Sequence, residues 1–188
     1  MIFDRIDIHE MLLHQVGNSS EISDYRNDSV IISTSVIIPN EKGLIAIDTI
    51  PENTIIFSYK DKASGQRTKN SIQVGCDKHL EIGDFGIYAN HACKPNSYMW
   101  TSYKSNDGYG HVVLISTESI AKGEEITFDY ATTETHLTPE HTNKQCLCKT
   151  SECRSVLKGF FDLTSEEQDR LIQKGCIAPH LNYSKTTH

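Results

Sequence analysis

Hydrophobic positions along this chain fall in short blocks, and few of the blocks have a helical period. The exception opens the sequence. Ile2, Ile6, Ile8, Met11, Leu12, Leu13 and Val16 recur at spacings that predict a short amphipathic helix over 2–16, ended by Gly17-Asn18-Ser19-Ser20. Residues 17–29 read as a polar loop. From Val30 the blocks become β-branched, which predicts strands. Val30 to Ile38 reads as one strand, or two broken near Ser33, and Pro39-Asn40 turns the chain. Leu44–Ile47 and Thr54–Tyr59 follow, and the polar segment 60–70 reads as an exposed loop. Ser71–Val74 and His79–Ile82 are short strands divided by Gly75 and Asp77. Asn106-Asp107-Gly108-Tyr109-Gly110 is a turn signal, after which His111–Ser116 and Glu125–Tyr130 are strands. Residues 131–145 carry no period and read as a connector. Thr164-Ser165-Glu166-Glu167 has capping-box spacing, so 168–174 should be helical, with Gly175 as its stop. The pattern predicts a mainly β fold with short helices near the ends.

Composition narrows this picture. A chain of 188 residues is most simply one domain. No apolar run approaches the ~18 residues that a membrane span requires. Met1-Ile2-Phe3-Asp4-Arg5 is acidic where a secretory leader is basic and then apolar, so an intracellular location, nucleus or cytoplasm, is expected. In that setting the six cysteines are expected to be reduced thiols or metal ligands rather than disulfides. The net charge of −7 argues against a nucleic-acid backbone binder and suits a basic peptide partner drawn to an acidic cleft. No direct nucleic-acid contact and no membrane contact are therefore expected.

Three stretches carry chemistry. Asn90-His91-Ala92-Cys93-Lys94-Pro95-Asn96 sets donors and acceptors beside a soft metal ligand, and Pro95 stiffens its exit. Cys146-x-Cys148-x4-Cys153 groups three thiolates, one short of tetrahedral structural zinc, and Cys93 is the natural fourth ligand. Cys76 and Cys176 read as core or incidental thiols. Tyr130 closes the third stretch, Gly123-Glu124-Glu125-Ile126-Thr127-Phe128-Asp129-Tyr130. Taken alone, a strand-end tyrosine is more often a packing residue than a catalytic one. His91 lacks the partners of a hydrolase triad, and there is no dinucleotide or P-loop signature. Four cysteine ligands would leave no open coordination position for a zinc hydrolase.

Together these stretches resemble the SET-domain protein lysine methyltransferases that carry a post-SET zinc-binding segment. Residues 90–96 are similar to that family's Asn-His-Ser-Cys-x-Pro-Asn signature, with Ala92 for Ser. Residues 123–130 are similar to its Gly-Glu-Glu-Leu-Thr-Phe-Asp-Tyr segment, and Cys146 to Arg154 to its post-SET cluster. The resemblance implies a SET fold of several small sheets with knot-like C-terminal threading. It implies domains at 1–29 (N-terminal helix and loop), 30–132 (SET), 133–163 (connector and post-SET zinc segment) and 164–188 (C-terminal helix and tail). The implied activity is S-adenosylmethionine-dependent N-methylation of lysine in a histone or other basic peptide, with di- or trimethylation suggested by Phe128. The implied roles are catalytic for Tyr130 and Tyr59, lysine-channel for Phe128 and Tyr59, and cofactor-binding for Lys42, Gly43, Leu44, Tyr88, Asn90, His91 and Leu147. Structural zinc would be held by Cys93, Cys146, Cys148 and Cys153. Glu41, Ile87 and Lys60-Asp61 depart from the family pattern. A catalytically idle SET-like module that binds a peptide or partner is the alternative.

Overall fold

The computed structural model describes residues 8–16 and 24–184. Helix α1, Ile8–Gln15, falls within the expected segment, whose first residues, 2–7, lie outside the described ones. Three small sheets then carry the chain. In the first, β1 (Asp24–Arg26), β4 (Ile55–Lys62), β9 (Tyr109–Ser116) and β8 (Ser97–Lys104) run in the order β1-β4-β9-β8. In the second, β2 (Val30–Thr34), β3 (Lys42–Ala46), β10 (Glu125–Phe128) and β7 (Asn90–His91) run in the order β2-β3-β10-β7. The third pairs β5 (Ser71–Gly75) with β6 (Lys78–Glu81). Helices α2 (Ser165–Lys174) and α3 (Pro179–Ser184) follow.

Several expectations need correction. The loop expected over 17–29 contains β1, which pairs with β4 as Asp24↔Tyr59 and Arg26↔Phe57; its charged composition hid it. The long strand expected from Val30 stops at Thr34, because Ser35 Oγ accepts from Ile37 N and Ile38 N and bends the chain. Strand β4 runs on to Lys62, into the segment read as loop, since Lys60, Asp61 and Lys62 pair with His111, Gly110 and Tyr109. Strand β8 and helix α3 gave no signal in the hydrophobic pattern. Strand β10 ends at Phe128 rather than Tyr130, and Asp129 caps a 3-10 turn over Tyr130–Thr132 by accepting from Ala131 N at 3.1 Å. Helix α2 is as expected in kind: Thr164 and Glu167 cap it reciprocally, and Gly175 ends it at φ 68°.

The main core lies between the sheets and includes Leu44, Ile56, Phe57, Phe85, Met99, Leu114, Ile126 and Phe128. A smaller cluster packs α1 through Leu12 onto Ile55, Val113 and Ile115. A third, of Ala131, Phe160, Leu163, Leu171 and Leu181, seats α2 and α3 under the turn that carries Tyr130. Among the described residues no helix is long and apolar enough to cross a membrane.

Candidate active site and metal centre

The site forms where β10 slots between β3 and β7. Its pairing with β7 is parallel, Thr127↔Asn90 and Phe128↔His91, and its pairing with β3 is antiparallel, Glu125↔Ile45 and Ile126↔Leu44. Asn96 secures the far side: its Oδ1 accepts from Thr127 N at 3.0 Å and its Nδ2 donates to Glu125 O at 2.9 Å.

Glu125 organises the wall that Asn90 lines, and no local pattern singles it out. Its buried carboxylate accepts from Ser35 Oγ at 2.8 Å, Val36 N at 2.8 Å, Ile37 N at 3.1 Å and Asn90 Nδ2 at 2.6 Å. A Cβ on Gly43 would stand 2.3 Å from Glu125 Oε1 and 3.2 Å from Asn90 Nδ2, so only glycine lets β3 approach this closely. Asn90 Nδ2 also donates to Lys42 O at 2.8 Å. Both of its amide hydrogens are thus used internally, and Oδ1 is left to accept from a ligand. Lys42 Nζ lies 5.7 Å from the Tyr88 ring centre, at the rim. Leu44 is fully buried in the main core.

Tyr130 stands at the end of the same seam. Its ring lies 4.9 Å from Phe128, 5.2 Å from His91 and 6.0 Å from His141, and its hydroxyl donates to Ala89 O at 3.3 Å. Burial, with Glu125 and Glu134 nearby, pushes that hydroxyl above its ordinary pKa, so it stays protonated. His141 comes from the segment read as a featureless connector. Tyr59 belongs to the other sheet and lines a shallow cleft with Asp24, Phe57, Ile82, Gly83 and Phe85. Burial, then the charges of Asp61, Asp24, Asp84 and Glu81, raise its pKa. The cleft is therefore edged by acids. Tyr59 and Tyr130 pack against the same core.

His91 is buried and faces inward. Its Nε2 lies 3.3 Å from Cys93 Sγ, and its Nδ1 accepts from Tyr130 N at 3.3 Å. Burial holds its pKa down at about 4, so the ring is neutral and able to accept. Its side chain links the cysteines to Tyr130, and only its backbone adjoins the wall built by Asn90.

The four expected cysteines do converge. The sulfurs of Cys93, Cys146, Cys148 and Cys153 all lie within 4.8 Å of one another, and Cys93 and Cys146 are 3.7 Å apart. Tetrahedral zinc with Zn–S bonds of about 2.3 Å needs sulfurs about 3.8 Å apart, so the donor set fits. Burial raises the Cys93 and Cys146 thiols, which a divalent cation would offset. Lys149 and Ser155 take positive φ, 53° and 66°, to wrap this short loop. Leu147 sits half-buried between two of the clustered cysteines. Cys76 is exposed, and Cys176 packs near α1.

Comparison with known proteins places the chain among its relatives. Residues 41–131 match the SET domain family. The chain is 36% identical over 133 residues to histone-lysine N-methyltransferase set-2 of Caenorhabditis elegans. It is 27% identical over 134 residues to the H3 lysine-4 specific histone-lysine N-methyltransferase of Schizosaccharomyces pombe. Each match covers 61% of this chain but only 8% and 14% of those much longer relatives. The fold is also similar to part of KRYPTONITE, solved with mCHH DNA, an H3(1-15) peptide and SAH: TM-score 0.54, 19% identity, 70% of this chain and 30% of that one.

Proposed function

We propose that this chain is an S-adenosylmethionine-dependent protein lysine N-methyltransferase that acts in the nucleus on a histone tail or similar basic segment and adds two or three methyl groups. The observation that carries the reading is the enclosed Tyr130 hydroxyl, set between Phe128 and His91 at the end of the seam that Asn90 lines. The SET match and the histone-lysine N-methyltransferase relatives support it.

S-adenosylmethionine, when bound, supplies an electrophilic methyl group on a sulfonium centre. The chain's own residues bind and orient. Asn90 Oδ1 is free to accept from the cofactor's ammonium, with Gly43 and Lys42 forming the adjoining backbone wall. Tyr88 contributes an aromatic face at the rim. Tyr130, kept protonated, accepts from the lysine amine and aligns it; it does not remove the amine's proton. An aromatic channel favours the neutral amine by desolvating it, and holding both reactants in line supplies much of the rate. Phe128 has no hydroxyl to hold a water beside the amine, which leaves room for further methyl groups. The acids around Tyr59 raise the local concentration of a cationic peptide.

The test is calorimetric titration of the zinc-loaded protein with S-adenosylmethionine, followed by mass spectrometry of an H3 peptide after incubation. Binding that Asn90→Ala abolishes, together with peptide gaining 28 or 42 mass units (about two or three methylene equivalents, the product class expected when one channel repeats the same alignment), supports the enzyme. Absence of cofactor binding with and without peptide would leave the catalytically idle peptide-binding module as the reading.

A further inference from the structure

The sheet β1-β4-β9-β8 has two faces of unlike charge. Residues opposite one another on antiparallel strands share a face. The register therefore sets Lys60, His111 and Ser102 in one row, and Lys62, Tyr109 and Lys104 in the next. The preceding row, Ser58, Val113 and Trp100, is where the α1 cluster begins. None of the six residues in the two outer rows is acidic, in a chain with 25 acids to 18 lysines and arginines. The three lysines are exposed. On the reverse of β4, Tyr59 and Asp61 alternate with Lys60 and Lys62, and Tyr59 lines the acidic cleft.

Two of the lysines gather on one flat ring. Lys62 Nζ lies 4.2 Å and Lys60 Nζ 5.7 Å from the Tyr109 ring centre. Trp100 meets His111 edge-on at 5.5 Å, and Ser58 Oγ holds the imidazole at 2.8 Å. Burial, then Lys60 and Lys104, hold His111 down at about 4, so it offers a neutral ring. The Asp107 carboxylate at the hairpin tip accepts from Tyr109 N at 3.0 Å, while its carbonyl oxygen accepts from Lys62 Nζ.

We propose that this face binds single-stranded nucleic acid, with Lys60, Lys62 and Lys104 on phosphates and the rings of Tyr109 and His111 against bases. Ammonium groups interleaved with flat rings on a sheet face neutralise phosphates and stack bases at the same time. An acidic protein segment would gain less. Its carboxylates would answer the ammonium groups but leave the rings of Tyr109 and His111 without flat partners. The proposal does not depend on methyl transfer. It does reverse the expectation drawn from net charge, because a polyanion meets a local face and not the sum over the chain.

Trp100, the chain's single tryptophan, borders the patch and reports on it. A 12-nucleotide oligothymidylate titrated into the zinc-loaded 188-residue chain at low salt should shift Trp100 emission saturably. Log affinity should fall with log salt at a slope of about −2, three phosphate contacts at roughly 0.7 each. Lys60→Gln/Lys62→Gln/Lys104→Gln should lose about tenfold in affinity or more, with melting temperature and zinc content unchanged. Tyr109→Leu, which keeps bulk but cannot stack, should weaken binding severalfold through loss of about 1 kcal/mol or more of base stacking. No saturable response in the wild-type protein overturns the proposal, as does unchanged affinity in the triple variant. Equal binding of polyglutamate of matched charge, with the same Trp100 shift, overturns it in favour of an acidic protein partner.

Discussion

Arg154 Nη2 donates to Asp129 Oδ1 at 2.5 Å, and both side chains are buried. Arg154 follows the last zinc-site cysteine, and its backbone N–H donates to Cys93 Sγ at 3.3 Å. Asp129 precedes Tyr130 and caps its turn. One ion pair therefore joins the metal segment to the tyrosine. Removing one partner of a buried pair strands the other charge, at a cost of about 3 kcal/mol or more. Arg154→Leu should lower unfolding stability by that order in denaturant titration of the zinc-loaded protein. A loss below about 1 kcal/mol, the range of surface pairs, would show that the pair does not hold the two segments together.

Metal content gives a second expectation. The purified protein should carry one zinc per chain, since its four convergent sulfurs make one tetrahedral set. A strong chelator should lower the melting temperature and weaken S-adenosylmethionine binding together, because His91 and Arg154 tie the cysteines to the Tyr130 turn. A melt that is indifferent to chelation would count against the metal centre.

Tyr130→Phe deletes only the hydroxyl that donates to Ala89 O. Cofactor affinity should hold within a few-fold, while turnover falls about a hundredfold, the usual effect of losing one positioned polar group. Equal turnover in the two proteins would remove Tyr130 from the chemistry.

Glu134 makes pH a probe of the same turn. Its carboxylate accepts from Gln73 N at 2.8 Å and, buried, has its pKa pushed up to about 7. Unfolded, a glutamate titrates near ~4.3. The folded state thus binds the proton more tightly, so this contribution is present in full below about 4.3 and is lost as pH rises through about 7. Glu134→Gln should gain on the wild-type protein by roughly 3 kcal/mol between pH 4.5 and pH 8. Parallel stability curves for the two proteins over that range would show that Glu134 does not titrate there.

What could be read in advance was local. Asn90 to Asn96, Gly123 to Tyr130 and the three clustered cysteines are contiguous, so residue type and spacing identify them. The capping pair Thr164 and Glu167 is legible for the same reason. What escaped depends on distant partners. Ser35 meets Glu125 across 90 residues, and Gln73 meets Glu134 across 61. Strand β1 is held by its register against β4 and not by its own composition. Strand β8, Ser97–Lys104, mixes serine, lysine and aromatics because one of its faces is solvated, which blurs the two-residue period.

The insertion of β10 between β3 and β7 has a consequence for how the protein is made. The earlier strands of that sheet emerge from the ribosome long before their partner, and the cysteines later still. Until the chain has passed Glu125 the wall at Asn90 lacks its organising carboxylate, and until it has passed Arg154 the tyrosine turn lacks its buried partner. Contacts this distant in sequence form late and slowly. A nascent or truncated chain that ends before Arg154 therefore has a seam without its brace, and the tyrosine turn is fixed only in a late step, when the cysteine segment closes on the slot that β10 already fills.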